Sequence, residues 1–402
     1  MASVQPDSEP VPIDGSVPVT ALTGLADRPL SAYLHIPFCT SRCGYCDFNT
    51  YSADQLPGVG IEAYLLGLRA EIGLARRVLG TQAPTLDTVF VGGGTPSVLT
   101  AVQLGGLLTE LRDCFGLAAN CEVTSEANPE SLDERKLEGL LAAGFNRLSL
   151  GMQSSSPAVL KVLERRHTPG RALEMARLAR RVGFENISLD LIYGTPGETM
   201  DQWRASLEDA LSVQPDHVSA YALIVEDGTR LKRQIVHGRL PMIDDDDLAD
   251  KYLLAEEVLT SAGFQAYEIS NWTRDSRFRA RHNLAYWRGD NWWGFGPGAH
   301  SHLNGVRWWN VLHPRSYLER LAEGSSPGLA REALDPVAAH EERVLLELRL
   351  ADGLPLDVLT RTEATRVPAL VADGLARLGG DRLVLTLRGR LLADAVPLQL
   401  LD

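Results

Sequence analysis

Long apolar runs are missing from this 402-residue chain; no stretch approaches the ~20 apolar residues that a membrane-crossing helix needs. Basic charge is also scarce. The 39 Lys and Arg stand against 52 Asp and Glu, a net charge of -13. That speaks against a large nucleic-acid footprint and leaves, at most, peripheral contact with a membrane. Cysteines number only five, an odd count, and the C-x2-C pair at Cys43 and Cys46 has no second such pair. A disulfide framework is therefore disfavoured, and so is a four-cysteine zinc module. Residues 1–26 have no basic start followed by an apolar run, so they read as a flexible tail and not a signal peptide. These features together predict a cytoplasmic protein with room for two or three domains.

What is present is concentrated. Cys39, Cys43 and Cys46 form a C-x3-C-x2-C run, one thiolate short of the four that a closed cubane cluster takes. A [4Fe-4S] cluster held this way keeps one iron open, and an open coordination position is what a catalytic metal centre requires. A zinc ion with a fourth ligand from elsewhere is the alternative. Cys114 and Cys121 lie in apolar surroundings and read as small core hydrophobes.

From Ala32 onward, short β-branched runs alternate with amphipathic stretches, the pattern of a parallel α/β fold. Six strands are predicted: Ala32–Ile36, Leu86–Val91, Cys121–Ala127, Arg147–Leu150, Ile187–Ile192 and His217–Ala222. Helices are expected at Glu62–Leu79, Val102–Phe115, Asp133–Ala143, Gly170–Val182 and Met200–Val213. Strand ends carry the chemistry: the cysteine loop, Gly92-Gly93-Gly94-Thr95-Pro96, Glu126-Ala127-Asn128-Pro129, Gly151-Met152-Gln153, and the segment from Asp190 to Glu198. Loops following parallel barrel strands converge on one rim. Six repeats imply an open, partial (β/α)6 barrel, with a flavodoxin-like sheet as the structural alternative. The glycines admit close backbone approach to a ligand, and no Lys-Ser/Thr pair follows them as in a phosphate loop.

These motifs resemble those of radical S-adenosylmethionine (SAM) enzymes, in the branch of the anaerobic coproporphyrinogen III dehydrogenases and the heme chaperones related to them. The resemblance runs from about Tyr33 to the C-terminus. It implies that Cys39, Cys43 and Cys46 ligate the cluster. It further implies that Tyr33, Tyr45, Gly93, Gly94, Thr95, Glu126, Gln153, Arg165, Asp190 and the backbone of Ala222 contact SAM. Read singly, Glu126 and Asp190 suit helix caps, Gln153 a loop amide partner and Arg165 a surface ion pair.

Two features bear on the branch. The dehydrogenases carry a further cysteine two positions after the third, where Phe48 stands here. Arg281-His282-Asn283-Leu284-Ala285-Tyr286-Trp287 resembles the H-N-x-x-Y-W motif of the chaperones. His282 and Tyr286 fall on one face if this segment is helical, and both types can ligate heme iron. Trp287, Trp292, Trp293 and Phe295 are expected to offer flat apolar surface to the macrocycle. His300 and His302 are further ligand candidates.

The expected organisation is a tail at 1–26, the radical SAM barrel at 27–240, the heme-motif region at 241–335 and a C-terminal domain at 336–402. In the last, Glu341–Leu348 and Val367–Leu378 are predicted helical, and Arg382–Thr386 with Leu391–Ala395 a hairpin resembling that of a winged helix. Asp244–Asp247 are assigned to a helix start, where acidic residues suit the dipole. The reading is a heme chaperone using heme, SAM and a [4Fe-4S] cluster. Its expected partners are a reductant and heme-acceptor proteins, respiratory by the resemblance. A porphyrinogen-oxidising enzyme and a radical SAM nucleic-acid modifier are the rivals.

Overall fold

The computed structural model describes residues 8–401. Six parallel strands form its centre: β1 (Leu30–Ile36), β2 (Leu86–Gly93), β3 (Leu117–Ala127), β4 (Arg147–Gln153), β5 (Asn186–Tyr193) and β6 (His217–Ala222). They pair in chain order, each parallel to the next. Five crossover helices connect them: α1 (Ile61–Leu79), α2 (Ala101–Phe115), α3 (Glu134–Ala143), α4 (Arg171–Val182) and α5 (Met200–Leu211). Capping boxes at Thr100/Gln103 and Thr199/Gln202 start α2 and α5 by satisfying otherwise orphaned N–H groups.

Alternation along the strands explains the layers. Leu34, Val89, Val91, Leu148, Leu150, Leu189 and Val218 point outward and are buried beneath the helices. Burying each such side chain contributes roughly 1.5–3 kcal/mol. Trp203 of α5 is fully buried, and its indole N–H donates to the Lys251 carbonyl of α6 (Asp245–Ser261), so no polar group is left unsatisfied.

The sheet continues past both ends of the six strands. On one side β7 (Asn271–Thr273) pairs antiparallel with β6. On the other, β8 (Asn291–Phe295) lies parallel to β1, followed by antiparallel β9 (His300–Leu303), β10 (Val306–Asn310) and β11 (Gly328–Ala333). With Gln265–Ala266 paired beyond β7 and Glu9–Pro10 beyond β11, the described residues form an open thirteen-stranded sheet, so part of the heme-motif region is built into the same sheet as the barrel.

Two expectations need correction. The tail was expected to be flexible, yet Glu9–Pro10 pairs with β11, and Ala21 and Leu25 are buried in the main core. A few apolar side chains within polar surroundings suffice to dock it; residues 1–7 of the expected tail lie outside the described residues. The second correction concerns the C-terminus. The helix starting at Val367 stops at Ala372, ahead of Gly374 at φ +70°, and Ala376–Gly379 is a strand. It pairs with Arg382–Leu385 across Gly380 (φ +67°) and Asp381, a turn that favours glycine. Leu391–Ala395 is not a strand. Thr386 caps a short helix at Leu387–Leu391, and Gly389 packs so tightly on the Leu375 carbonyl that a Cβ would lie 1.9 Å from it. These elements enclose their own core around Leu348, Leu383 and Val396.

Candidate functional site

The inward half of the strand alternation is polar. Thr88, Arg147, Ser149 and His217 are buried inside the curve of the sheet, and Glu126 and Asp190 are half-buried there. A barrel interior of this type is ordinarily packed with branched aliphatic side chains. Here it holds a cavity of about 520 Å³ that shares Tyr45, Cys46, Glu126 and Asp190 as wall with a smaller one of about 140 Å³ at the strand ends.

The smaller cavity belongs to the cysteine loop. Cys39, Cys43 and Cys46 all line it, together with Gly93, Gly94 and Thr95. The loop is tied to the end of β2: Gly94 N–H donates to the Ile36 carbonyl (2.7 Å) and Thr95 N–H to that of Phe38 (2.9 Å). A Cβ on Gly94 would meet the Phe38 carbonyl at 2.7 Å and Cys39 Sγ at 3.0 Å, so only glycine fits beside that thiol. Among the described residues no three Cys, His, Asp or Glu side chains converge on one metal position. A zinc site needs such convergence, whereas a cubane spreads its thiolates over separate irons. The donor set therefore fits a cluster better than zinc.

The polar residues named from sequence surround this space. Glu126 accepts from Gly93 N–H (3.1 Å), and burial, with Asp190 nearby, pushes its carboxyl up to about 8. Asp190 is also raised by burial; it accepts from Ser149 (2.8 Å) and Ser188 (3.1 Å) hydroxyls. Arg165 is not a surface ion pair. Its Nη2 donates to the Gly151 carbonyl (3.1 Å), and its Nη1 lies 3.8 Å from Cys43 Sγ. Gln153 takes the left-handed conformation (φ 66°) that turns the chain at the cavity edge. Tyr33 and Ala222 line the larger cavity, and Tyr45 lines both. His35 Nε2 must donate to the Asn49 carbonyl (2.9 Å), so its Nδ1 accepts from the Tyr33 hydroxyl (3.0 Å).

The motif segment is indeed a helix, α7 (Arg281–Trp287), entering the barrel interior. Glu122 receives the backbone N–H groups of Arg281 and His282 at 3.0 and 3.1 Å, capping the helix with a carboxylate from β3. His282 is buried against Phe90 and lines the larger cavity with Tyr286. Its Nδ1 lies 2.6 Å from Thr88 Oγ1, and its Nε2 lies 2.8 Å from the Tyr286 hydroxyl. Thr88 already donates to Ser31, so its oxygen accepts from Nδ1–H. That tautomer leaves the Nε2 lone pair as the acceptor of the Tyr286 hydroxyl. Burial, with the charge of Arg147 second, pushes the imidazole down to about 3.

The aromatic surface anticipated for a macrocycle is not assembled here. Trp287 turns away from the cavity and packs with Tyr267 and Leu350. Trp293 and Phe295 are buried in the main core, with Trp293 set edge-on against Trp308. Trp292 meets Tyr286 edge-on at 4.8 Å between ring centroids. His302 is closed at both nitrogens by the Asp290 carbonyl and Gly305 N–H, and His300 stacks on Trp309. Residue spacing along a strand decides this: neighbours in β8 face opposite sides of the sheet. Arg147, Ser149, Ser188 and His217 also border the interior or its hydrogen-bond network and were not singled out from sequence. Their signal was there, as polar residues two apart within otherwise apolar strands.

Residues 33–210 match the family model of the Radical SAM superfamily. Over 380 residues the chain is 52% identical to the heme chaperone HemW of Mycobacterium tuberculosis (strain CDC 1551 / Oshkosh), spanning 94% of this chain and 97% of that one. It is 34% identical to heme chaperone HemW of Bacillus subtilis (strain 168), covering 91% and 97%. Among solved structures, the radical SAM enzyme coproporphyrinogen III oxidase (HemN) of Escherichia coli superposes with a TM-score of 0.82 at 25% identity, covering 96% of this chain and 94% of that one. On these matches the chain belongs to the heme chaperone HemW family within the radical SAM superfamily.

Proposed function

We propose that this protein carries heme in the barrel interior and passes it to acceptor proteins, with a [4Fe-4S] cluster and SAM held at the strand ends. Cys39, Cys43 and Cys46 hold the cluster. Tyr33, Tyr45, Gly93, Gly94, Thr95, Glu126, Gln153, Arg165, Asp190 and Ala222 surround SAM. When bound, the pair supplies one-electron reduction of the sulfonium. Arg165 suits the SAM carboxylate because its fork of N–H groups can donate to both oxygens.

The observation that carries the reading is the His282 Nε2 lone pair, buried at a cavity that shares its wall with the cysteine-loop cavity. A neutral imidazole whose other N–H is held by Thr88 is arranged as metal-ligating histidines usually are. Tyr286 is the weaker candidate, since burial raises its phenol and disfavours the phenolate. The names of the relatives support the same reading. Acceptors are respiratory proteins, on the resemblance. No described helix is long and apolar enough to cross a membrane.

The test is transfer. Protein loaded with cluster and one heme is mixed anaerobically with a heme-free b-type cytochrome, and both Soret bands are followed. Heme moving to the acceptor at a rate that rises with acceptor concentration is expected. Conversion of coproporphyrinogen III to protoporphyrinogen with consumption of SAM would instead make the protein a porphyrinogen enzyme.

A further inference from the structure

Arg147 is a buried charge without an assigned task. It opens β4, is 2% exposed and borders the larger cavity. Its Nε has no hydrogen-bond partner among the described residues. An arginine kept for structure is ordinarily paired, because an unpaired buried charge is costly. Asp47, Glu126, Asp190 and Glu226 border the same cavity; the Arg147 charge acts through space on Asp190 and Glu126, whose oxygens take their hydrogen bonds from the Ser149 and Ser188 hydroxyls and from Gly93 N–H. Phe90, Ile192 and Tyr221 supply apolar wall to the same cavity. The charge reaches deep into the site, since after burial it is the next influence holding the imidazoles of His282 and His217 in the neutral form.

We infer that Arg147 anchors a carboxylate of the molecule held in the barrel, so that the cavity selects an aromatic or apolar ligand bearing an acid group. The inference rests on the heme reading, under which the carboxylate is a propionate. A planar fork matches a carboxylate oxygen for oxygen, and the pair gains strength in a site with little water. Arg147 would then fix the macrocycle's orientation, while His282 takes the iron.

The test separates acid recognition from heme binding. The cluster-loaded full chain is titrated anaerobically with iron protoporphyrin IX and with its dimethyl ester, for the native protein, Arg147→Gln and Arg147→Lys. The native protein should prefer the free acid by about 10-fold or more, the range for hydrogen bonds to a charged group. Arg147→Gln should lose that preference while binding the diester as the native protein does, and Arg147→Lys should keep part of it. Unliganded Arg147→Gln should unfold at the same temperature or higher. Equal native affinities for acid and diester would overturn the inference and leave heme binding standing. So would equal loss of both ligands in the variant, or a lowered unfolding temperature. Failure of the native protein to bind either porphyrin would overturn the heme reading itself.

Discussion

His282 Nε2 and the Tyr286 hydroxyl lie 2.8 Å apart, one helical turn from each other on α7. The histidine lone pair is thus occupied by a hydrogen bond that must break before the nitrogen can take a metal. Breaking a typical bond of this kind costs about 0.5–1.5 kcal/mol. Tyr286→Phe is therefore expected to tighten heme binding by about 2- to 10-fold, read from a Soret titration. Weaker binding in this variant would make the phenol the ligand instead.

The same imidazole sets an acid dependence. Its folded pKa of about 3 lies below the ordinary 6.5. The unfolded chain therefore binds the extra proton first, and stability is full above pH 6.5 and falls as pH drops toward 3. His167, pushed down to about 4 by burial and then by Arg165, acts in the same direction. Each contributes a slope of about 1.4 kcal/mol per pH unit within its window. Buried Glu126, Glu71 and Glu198, pushed up to about 8, 7 and 7, act in the opposite direction over the same range, so the imidazole contribution is read as a difference: in urea denaturation from pH 7 to pH 5, His282→Gln should lose less stability, or gain more, than the native protein.

Gly94→Ala tests the cysteine loop. The added methyl meets two backbone carbonyls and Cys39 Sγ at 3.0 Å or less. Backbone cannot swing away as a flexible side chain can. Iron and sulfide per chain after reconstitution should fall well below the native value, with circular dichroism unchanged. Full loading would contradict the tight fit.

Trp287→Ala should leave heme affinity within about 2-fold and lower thermal stability, because Trp287 packs with Tyr267 and Leu350 away from the cavity. Truncation of a large buried aromatic costs up to about 3–5 kcal/mol; partial burial puts this one at the low end. Loss of heme with unchanged stability would return Trp287 to the binding surface.

Much of the barrel was readable because most of its strands are short apolar runs that lead into glycine, cysteine or a carboxylate, and His217–Ala222 was placed to the residue. The site residues at strand ends were legible for the same reason. Other features depend on tertiary pairing, which leaves little local trace. Nothing near Asn291–Phe295 announces that it will lie parallel to β1, more than 250 residues earlier in the chain. The C-terminal hairpin was shifted because Val367–Leu378 has helical periodicity, while Gly374 and Gly380 decide where it stops and turns. Trp293 and Phe295 looked like ligand surface, since aromatic content was visible and facing was not.

The most direct measurement is an anaerobic heme titration of the cluster-loaded protein beside His282→Ala, followed in the Soret region. The account predicts saturable binding in the native protein that is lost or spectrally altered in the variant. Saturable binding with identical affinity and spectrum in both would contradict it and move the iron away from His282.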